Sequence, residues 1–221
     1  MALYWCYSGA MIIVFGHQKG GTGKSTLTVN MAVELQRQGK DVLLVDADPT
    51  IRTTSNFTTD REEAGLPSLQ SVQKSGSLHK FLEEFRPKFD HILVDVPGKD
   101  SKEMRTALTA ADMLISPTRA TQADLDAVAG LLETVEGAQD FNEDLKSMLV
   151  LNFVSSNVFT KERAEAQSYL EDFPRVRLAQ TVLHQRKAFA DCLADGKGVV
   201  EMRDAKAKAE IQLLTQEVFS W

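Results

Sequence analysis

The stretch His17-Gln18-Lys19-Gly20-Gly21-Thr22-Gly23-Lys24-Ser25-Thr26 constrains this chain more than any other. It follows the apolar run Met11-Ile12-Ile13-Val14-Phe15 and precedes a segment of helical spacing, so it lies where a strand feeds a helix N-terminus. That is the context a phosphate-binding loop needs. Glycines let successive backbone N–H groups curl around an anion, a lysine at position 24 supplies charge to the terminal phosphates, and the Ser25 hydroxyl can ligate Mg²⁺. The strict pattern asks for glycine where this chain has Gln18, and a second lysine, Lys19, stands directly ahead of the glycine pair. The plainer reading is a glycine-rich turn with solvated lysines.

Beyond the loop, Leu27, Met31 and Leu35 recur every four residues, which predicts a helix running to Gly39. Val42-Leu43-Leu44-Val45-Asp46 is a continuous apolar run that ends in a carboxylate, and such runs suit strands buried on both faces of a parallel sheet. The same design returns at His91-Ile92-Leu93-Val94-Asp95, Met113-Leu114-Ile115 and Met148-Leu149-Val150-Leu151. Helical segments are expected at roughly 77–86, 102–110, 121–136, 160–171 and 203–219. The alternation predicts an α/β fold, a doubly wound, mostly parallel sheet flanked by helices, with ligands at the carboxyl ends of the strands. With 43% hydrophobic residues in 221 and no repeat or linker, residues 11–221 read as one domain. Residues 1–10 read as an extension not needed by that domain, with an extra edge strand as the alternative.

Acidic residues sit at the predicted strand ends. Asp46 and Asp48 are two residues apart, so both carboxylates can face the phosphate pocket if the strand stays extended; Asp48 before Pro49 can instead cap a turn. Asp95 closes its run as a Walker B aspartate does, and a carboxylate there can hold Mg²⁺ through water.

The form K-G-G-x-G-K-S-T resembles the deviant Walker A motif of the ParA/MinD ATPases, a P-loop NTPase group. The resemblance implies ATP and Mg²⁺ as cofactors, with Gly20, Gly21, Thr22, Gly23, Lys24, Ser25 and Thr26 around the phosphates. It implies that Lys19 reaches the partner's nucleotide across a dimer interface. Asp46-x-Asp48 is similar to the family's switch I, which gives Asp48 the attacking water and places Asp46, with Ser25 and Asp95, around the metal. Asp95-Val96-Pro97-Gly98 departs modestly from the family's switch II. Ser116-Pro117-Thr118 and Asn152 fall where relatives contact the base, although a strand-terminal Asn also forms turns. Residues 181–201, with Arg186, Phe189 and Gly196, resemble small plasmid partition ATPases of the ParF type. That makes Arg186 and Lys187, with Arg175, Arg177 and Lys197, candidates for DNA phosphate contact; a brace for the dimer is the alternative for Arg186.

The implied function is ATP hydrolysis in DNA partition. A nucleotide-dependent homodimer binds DNA non-specifically, and a centromere-binding adaptor of the ParB or ParG kind stimulates a weak basal turnover. A cytoplasmic, nucleoid-associated protein follows. The net charge of −6 does not announce a nucleic-acid binder, so any DNA contact must come from a local patch and be salt-sensitive. Cys6 and Cys192 have neither metal-ligand nor C-x-x-C spacing. The apolar start lacks the length to span a bilayer, and nothing basic follows Lys208 in the last helix, so a MinD-like membrane ATPase is disfavoured. A protein-cargo positioning ATPase, a dethiobiotin-synthetase-like enzyme and a nucleotide-regulated binding module are the remaining alternatives.

Overall fold

The computed structural model describes residues 10–119, 121–155, 164, 167–169 and 176–221, with backbone alone at 122, 123 and 125. In chain order the elements are β1 Met11–Phe15, α1 Lys24–Arg37, β2 Val42–Asp46, α2 Thr53–Glu63, β3 Gln70–Gln73, α3 His79–Phe85 and β4 His91–Asp95. Then follow α4 Lys102–Leu108, β5 Met113–Thr118, α5 Gln122–Gln139, β6 Lys146–Leu151, β7 Val176–Leu178, α6 Lys187–Ala194 and α7 Ala205–Phe219. The sheet order is β3-β2-β4-β1-β5-β6-β7. Every pairing is parallel.

Strand side chains alternate between two cores, which is why the strands carry unbroken apolar runs. Ile12, Val14, Ile92 and Val94 join Leu82 of α3, Met104 and Leu108 of α4, and Val128 and Leu131 of α5. Ile13, Phe15, Leu44 and Leu93 join Leu27, Met31 and Leu35 of α1 and Ile211, Leu214 and Val218 of α7. The last helix therefore buries its apolar stripe on the sheet, as its spacing predicts. It starts two residues later than expected because the Asp204 carboxylate accepts from the Lys206 and Ala207 amides, both at 3.0 Å. No helix among the described residues is long and apolar enough to cross a membrane.

Four elements had no sequence expectation. In α2, Phe57 is the one large apolar residue, and the helix is fixed instead by Arg61. This guanidinium is 1% exposed and donates to Glu201 Oε2 at 2.8 Å, Pro67 O at 2.7 Å and Gly196 O at 3.1 Å. Gly196 has φ +62°, and a Cβ there would meet Arg61 N at 2.6 Å, so the glycine of the 181–201 signature is needed for this packing. The edge strand β3 is polar and largely exposed, β7 has three residues, and α6 lies inside that signature. The helix expected at 160–171 falls mostly outside the described residues; 164 and 167–169 are helical. Arg175 and residues 1–9 also lie outside them.

Candidate nucleotide-binding site

Register places the site. Phe15 pairs with Asp95, and Asp95 with Asp46, so the end of β1 and both strand-end carboxylates lie level at one edge of the sheet. The chain leaving β1 turns through Gly21 (φ +73°) and Gly23 (φ +96°), a left-handed conformation that glycine adopts without strain. Gly23 is the N-cap of α1 and provides no side-chain cap, which leaves the first-turn N–H groups and the positive helix end available to an anion. Space adds a second requirement: a Cβ on Gly23 would lie 2.3 Å from Asn152 Nδ2. Asn152 donates to Thr22 O at 2.7 Å and accepts from Phe153 N at 2.9 Å. It therefore braces the loop, a contact not foreseen from its strand-end position. On the other side Gly98 abuts the loop, since a Cβ there would meet Gly20 Cα at 2.9 Å and Lys24 Nζ at 3.0 Å.

Gln18, the departure from the strict pattern, has a job. Its Nε2 donates to Gly130 O at 2.6 Å and Thr134 Oγ1 at 3.0 Å, which ties the loop to α5. The buried His17 Nδ1 accepts from the Lys19 amide at 2.9 Å. Burial first, then Lys24, lower the His17 pKa to about 4, with Asp124 opposing; the ring is neutral near pH 7.

The two lysines occupy different environments. Lys24 is 7% exposed; burial pushes its ammonium below the ordinary lysine value, while Asp95 and Asp48 oppose the shift. Lys19 is 45% exposed along its side chain and donates to Asp124 Oδ1 at 2.6 Å, a carboxylate that is 3% exposed. Thr121 Oγ1 donates to the other oxygen of Asp124 at 2.6 Å. Asp124 was missed from sequence, although Thr121-x-x-Asp124 before an apolar helix is a capping-box spacing that could have flagged it.

Asp95 accepts from Thr54 Oγ1 at 2.8 Å through Oδ2, while its buried Oδ1 has no hydrogen bond among the described residues. Burial raises this carboxyl to about 6; the Ser25 and Thr54 hydroxyls and Lys24 oppose the shift, and Asp46 adds to it. Asp46 Oδ2 accepts from Ser55 Oγ at 2.7 Å and Ser55 N at 3.0 Å. Thr54 and Ser55 thus tie α2 to the acids, another contact with no sequence signal. Asp48 Oδ1 accepts from Thr50 N at 2.8 Å and Ile51 N at 3.0 Å, so it caps the turn after β2 while its charge still acts on Lys24.

Beside Gly23 lies a cavity of about 530 Å³ whose apolar lining includes Leu27, Phe153, Leu183 and Phe189. Arg186 and Lys187, the expected DNA contacts, are among its lining residues. The Arg186 guanidinium donates to Glu210 Oε1 at 2.6 and 3.0 Å, whereas the Lys187 side chain is 87% exposed and pairs with Asp191 at 2.8 Å. Ser116 and Thr118 are fully buried in β5.

A parallel sheet that delivers an uncapped glycine loop, one buried lysine and two carboxylates to a single edge defines a P-loop nucleotide-binding protein. The model of the CobQ/CobB/MinD/ParA nucleotide binding domain matches residues 13–199, and the chain belongs to this family. It is similar to the chromosome-partitioning ATPase Soj of Thermus thermophilus, 28% identical over 218 residues, with 86% of this chain and 87% of Soj covered. It is also similar to the maintenance of carboxysome distribution protein A of Halothiobacillus neapolitanus, 26% identical over 214 residues, with 95% and 96% covered. Among solved structures, the cell division ATPase MinD of Pyrococcus furiosus shares the fold, with a TM-score of 0.76 over 96% of this chain and 99% of that one at 19% identity.

Proposed function

We propose that this chain is an ATP-hydrolysing partition ATPase whose working form is a homodimer closed around Mg-ATP. The observation that carries this reading is the division of labour between the lysines. Lys24 already supplies the buried charge beside Asp95, and Lys19 is a second cation on the same loop, half exposed and stored on Asp124. A cation so placed is available to a site outside its own chain.

The residues fit a magnesium nucleotide. Asp95 Oδ1 and Thr22 Oγ1 are buried without hydrogen bonds among the described residues, and the α1 amides lack a side-chain cap. Ser25, with Asp46 and Asp95 behind it, would hold Mg²⁺, which neutralises charge on the phosphoryl oxygens. The loop amides and Lys24 orient the phosphates and stabilise negative charge there. Asp48 orients the attacking water once its carboxylate leaves the Thr50 and Ile51 amides; removal of such a group typically costs about 10²–10⁴ in rate. The apolar cavity beside Gly23 accommodates a purine.

Segregation of DNA is the cargo reading favoured here, with a ParB- or ParG-like adaptor as stimulating partner and the nucleoid as location. Phosphate contact would fall first on exposed Lys187, because Arg186 must leave Glu210 to take part. A membrane-bound positioning role has less support, since α7 uses its apolar face in the core. The test is sedimentation of wild type and Lys19→Ala with Mg²⁺ and a non-hydrolysed ATP analogue, alongside a salt titration on unrelated DNA with ATP or ADP. ATP-dependent dimerisation and DNA binding, both lost in Lys19→Ala, are expected. A Lys19→Ala protein that dimerises normally refutes the reading.

A further inference from the structure

We propose that Arg119 is a nucleotide-binding residue that takes phosphate oxygens of the nucleotide held by its own loop. This rests on the nucleotide-site reading above. Arg119 directly follows β5, and its guanidinium carbon lies 4.7 Å above the centre of the Phe153 ring, with Nη2 3.4 Å from Gly21 O. It thus stands at the mouth of the glycine loop, over the central residue of the phosphate-binding turn.

The manner of its storage sets it apart. Arginines near the folded core are held by carboxylates, Arg61 by Glu201, Arg86 by Asp112 and Arg186 by Glu210, whereas Arg52 and Arg203, like Arg119, have no such pair among the described residues but make no hydrogen bond at the loop mouth. Arg119 has no carboxylate within ion-pair distance among the described residues, in a chain with more Asp and Glu than Lys and Arg. Its partners are a ring face and one long carbonyl contact, both weak at an exposed position. A guanidinium is the fork that matches phosphate oxygens in pairs, so an anion arriving at Gly21 offers it a stronger partner than it now has.

Its platform is built at a cost. Phe153 is the one non-glycine with positive φ among the described residues, at +58°, a conformation that bulky residues avoid. Asn152 pins that turn by accepting from the Phe153 amide and donating to Thr22 O. The strained turn, the braced loop and the cation on the ring are therefore one connected unit. Nothing about the sequence motif places an arginine here, because β5 and β6 bring these residues together only through the sheet.

The experiment is calorimetric titration of ATP analogue and ADP, each with Mg²⁺, into wild type, Arg119→Ala and Arg119→Lys at low and high salt. Arg119→Ala is expected to weaken nucleotide binding about ten- to a hundredfold and to lessen its salt dependence. Arg119→Lys should recover part of the affinity, since the charge matters and the ring contact alone does not suffice. Melting temperatures without nucleotide should agree, because the side chain is exposed. If wild type binds and Arg119→Ala binds within twofold, the proposal is refuted while the nucleotide site stands. If wild type fails to bind, the site reading fails first. A lowered melting temperature of Arg119→Ala without nucleotide, in step with its loss of affinity, would also overturn the proposal, since it would assign Arg119 a packing role on Phe153.

Discussion

Replacing Asp124 by Asn should tighten the nucleotide-bound dimer. In the structure the Lys19 ammonium lies 2.6 Å from Asp124 Oδ1, with side chains 45% and 3% exposed, so Lys19 must leave this carboxylate before it can act across an interface. A half-exposed pair of this kind contributes about 1 kcal/mol. Two protomers break two such pairs, about 2 kcal/mol in all, which corresponds to roughly a 30-fold change in dimer Kd. Burial pushes the Asp124 carboxyl up, but hydrogen bonds from Lys19 and Thr121 and the charges of Lys19 and Arg119 outweigh it and hold the group below the usual carboxylate range. An acid with a depressed folded pKa contributes stability above its unfolded pKa and loses it as pH falls through the folded one. The free Asp124→Asn monomer should therefore be less stable than wild type at pH 7, with the difference fading below the ordinary Asp range. Asn keeps the shape and still accepts from Thr121, so the loop end is preserved. Analytical ultracentrifugation with Mg²⁺ and a non-hydrolysed ATP analogue measures the effect. An unchanged or weaker dimer refutes the reasoning, and adding Lys19→Ala to Asp124→Asn should abolish the gain.

Asp48→Ala should keep nucleotide binding and dimerisation but lower turnover about a hundredfold or more, checked by phosphate release at saturating ATP. Gly23→Ala meets both a left-handed φ and a 2.3 Å approach to Asn152 Nδ2, so it should cost about 1–3 kcal/mol in stability and abolish ATP binding, read by denaturant titration and calorimetry. Asp95→Asn removes a carboxyl whose folded pKa is raised to about 6. Such a group costs the free protein stability as pH rises from the ordinary Asp range to about 6, so the variant should melt higher than wild type at pH 7.5 and lose that advantage step by step as pH falls from 6 into the ordinary Asp range. Its Mg²⁺-dependent nucleotide affinity should fall at the same time. A variant that melts lower at pH 7.5 would show that Asp95 is better satisfied than its burial implies.

The sequence by itself determined the sheet and the chemistry at its edge. Val42–Asp46 and His91–Asp95 announce strands buried on both faces, since only that setting tolerates unbroken apolar runs, and their terminal acids had to fall at the carboxyl edge beside the loop. The loop was legible because its glycines, lysine and serine are contiguous and each has a local backbone reason to be there. What carried no periodic apolar stripe was not legible: α2 is held by the buried Arg61 rather than by a hydrophobic face. Nor were the partners of the loop residues. Gln18 meets Gly130, Lys19 meets Asp124, Asn152 meets Thr22 and Arg119 meets Phe153, all pairs far apart in the chain. Those pairings depend on which strands lie next to β1, and strand order is decided by packing across the whole sheet, which no local spacing encodes. Local chemistry told which atoms could bind a nucleotide, and tertiary structure alone decided which other side chains restrain them until it does.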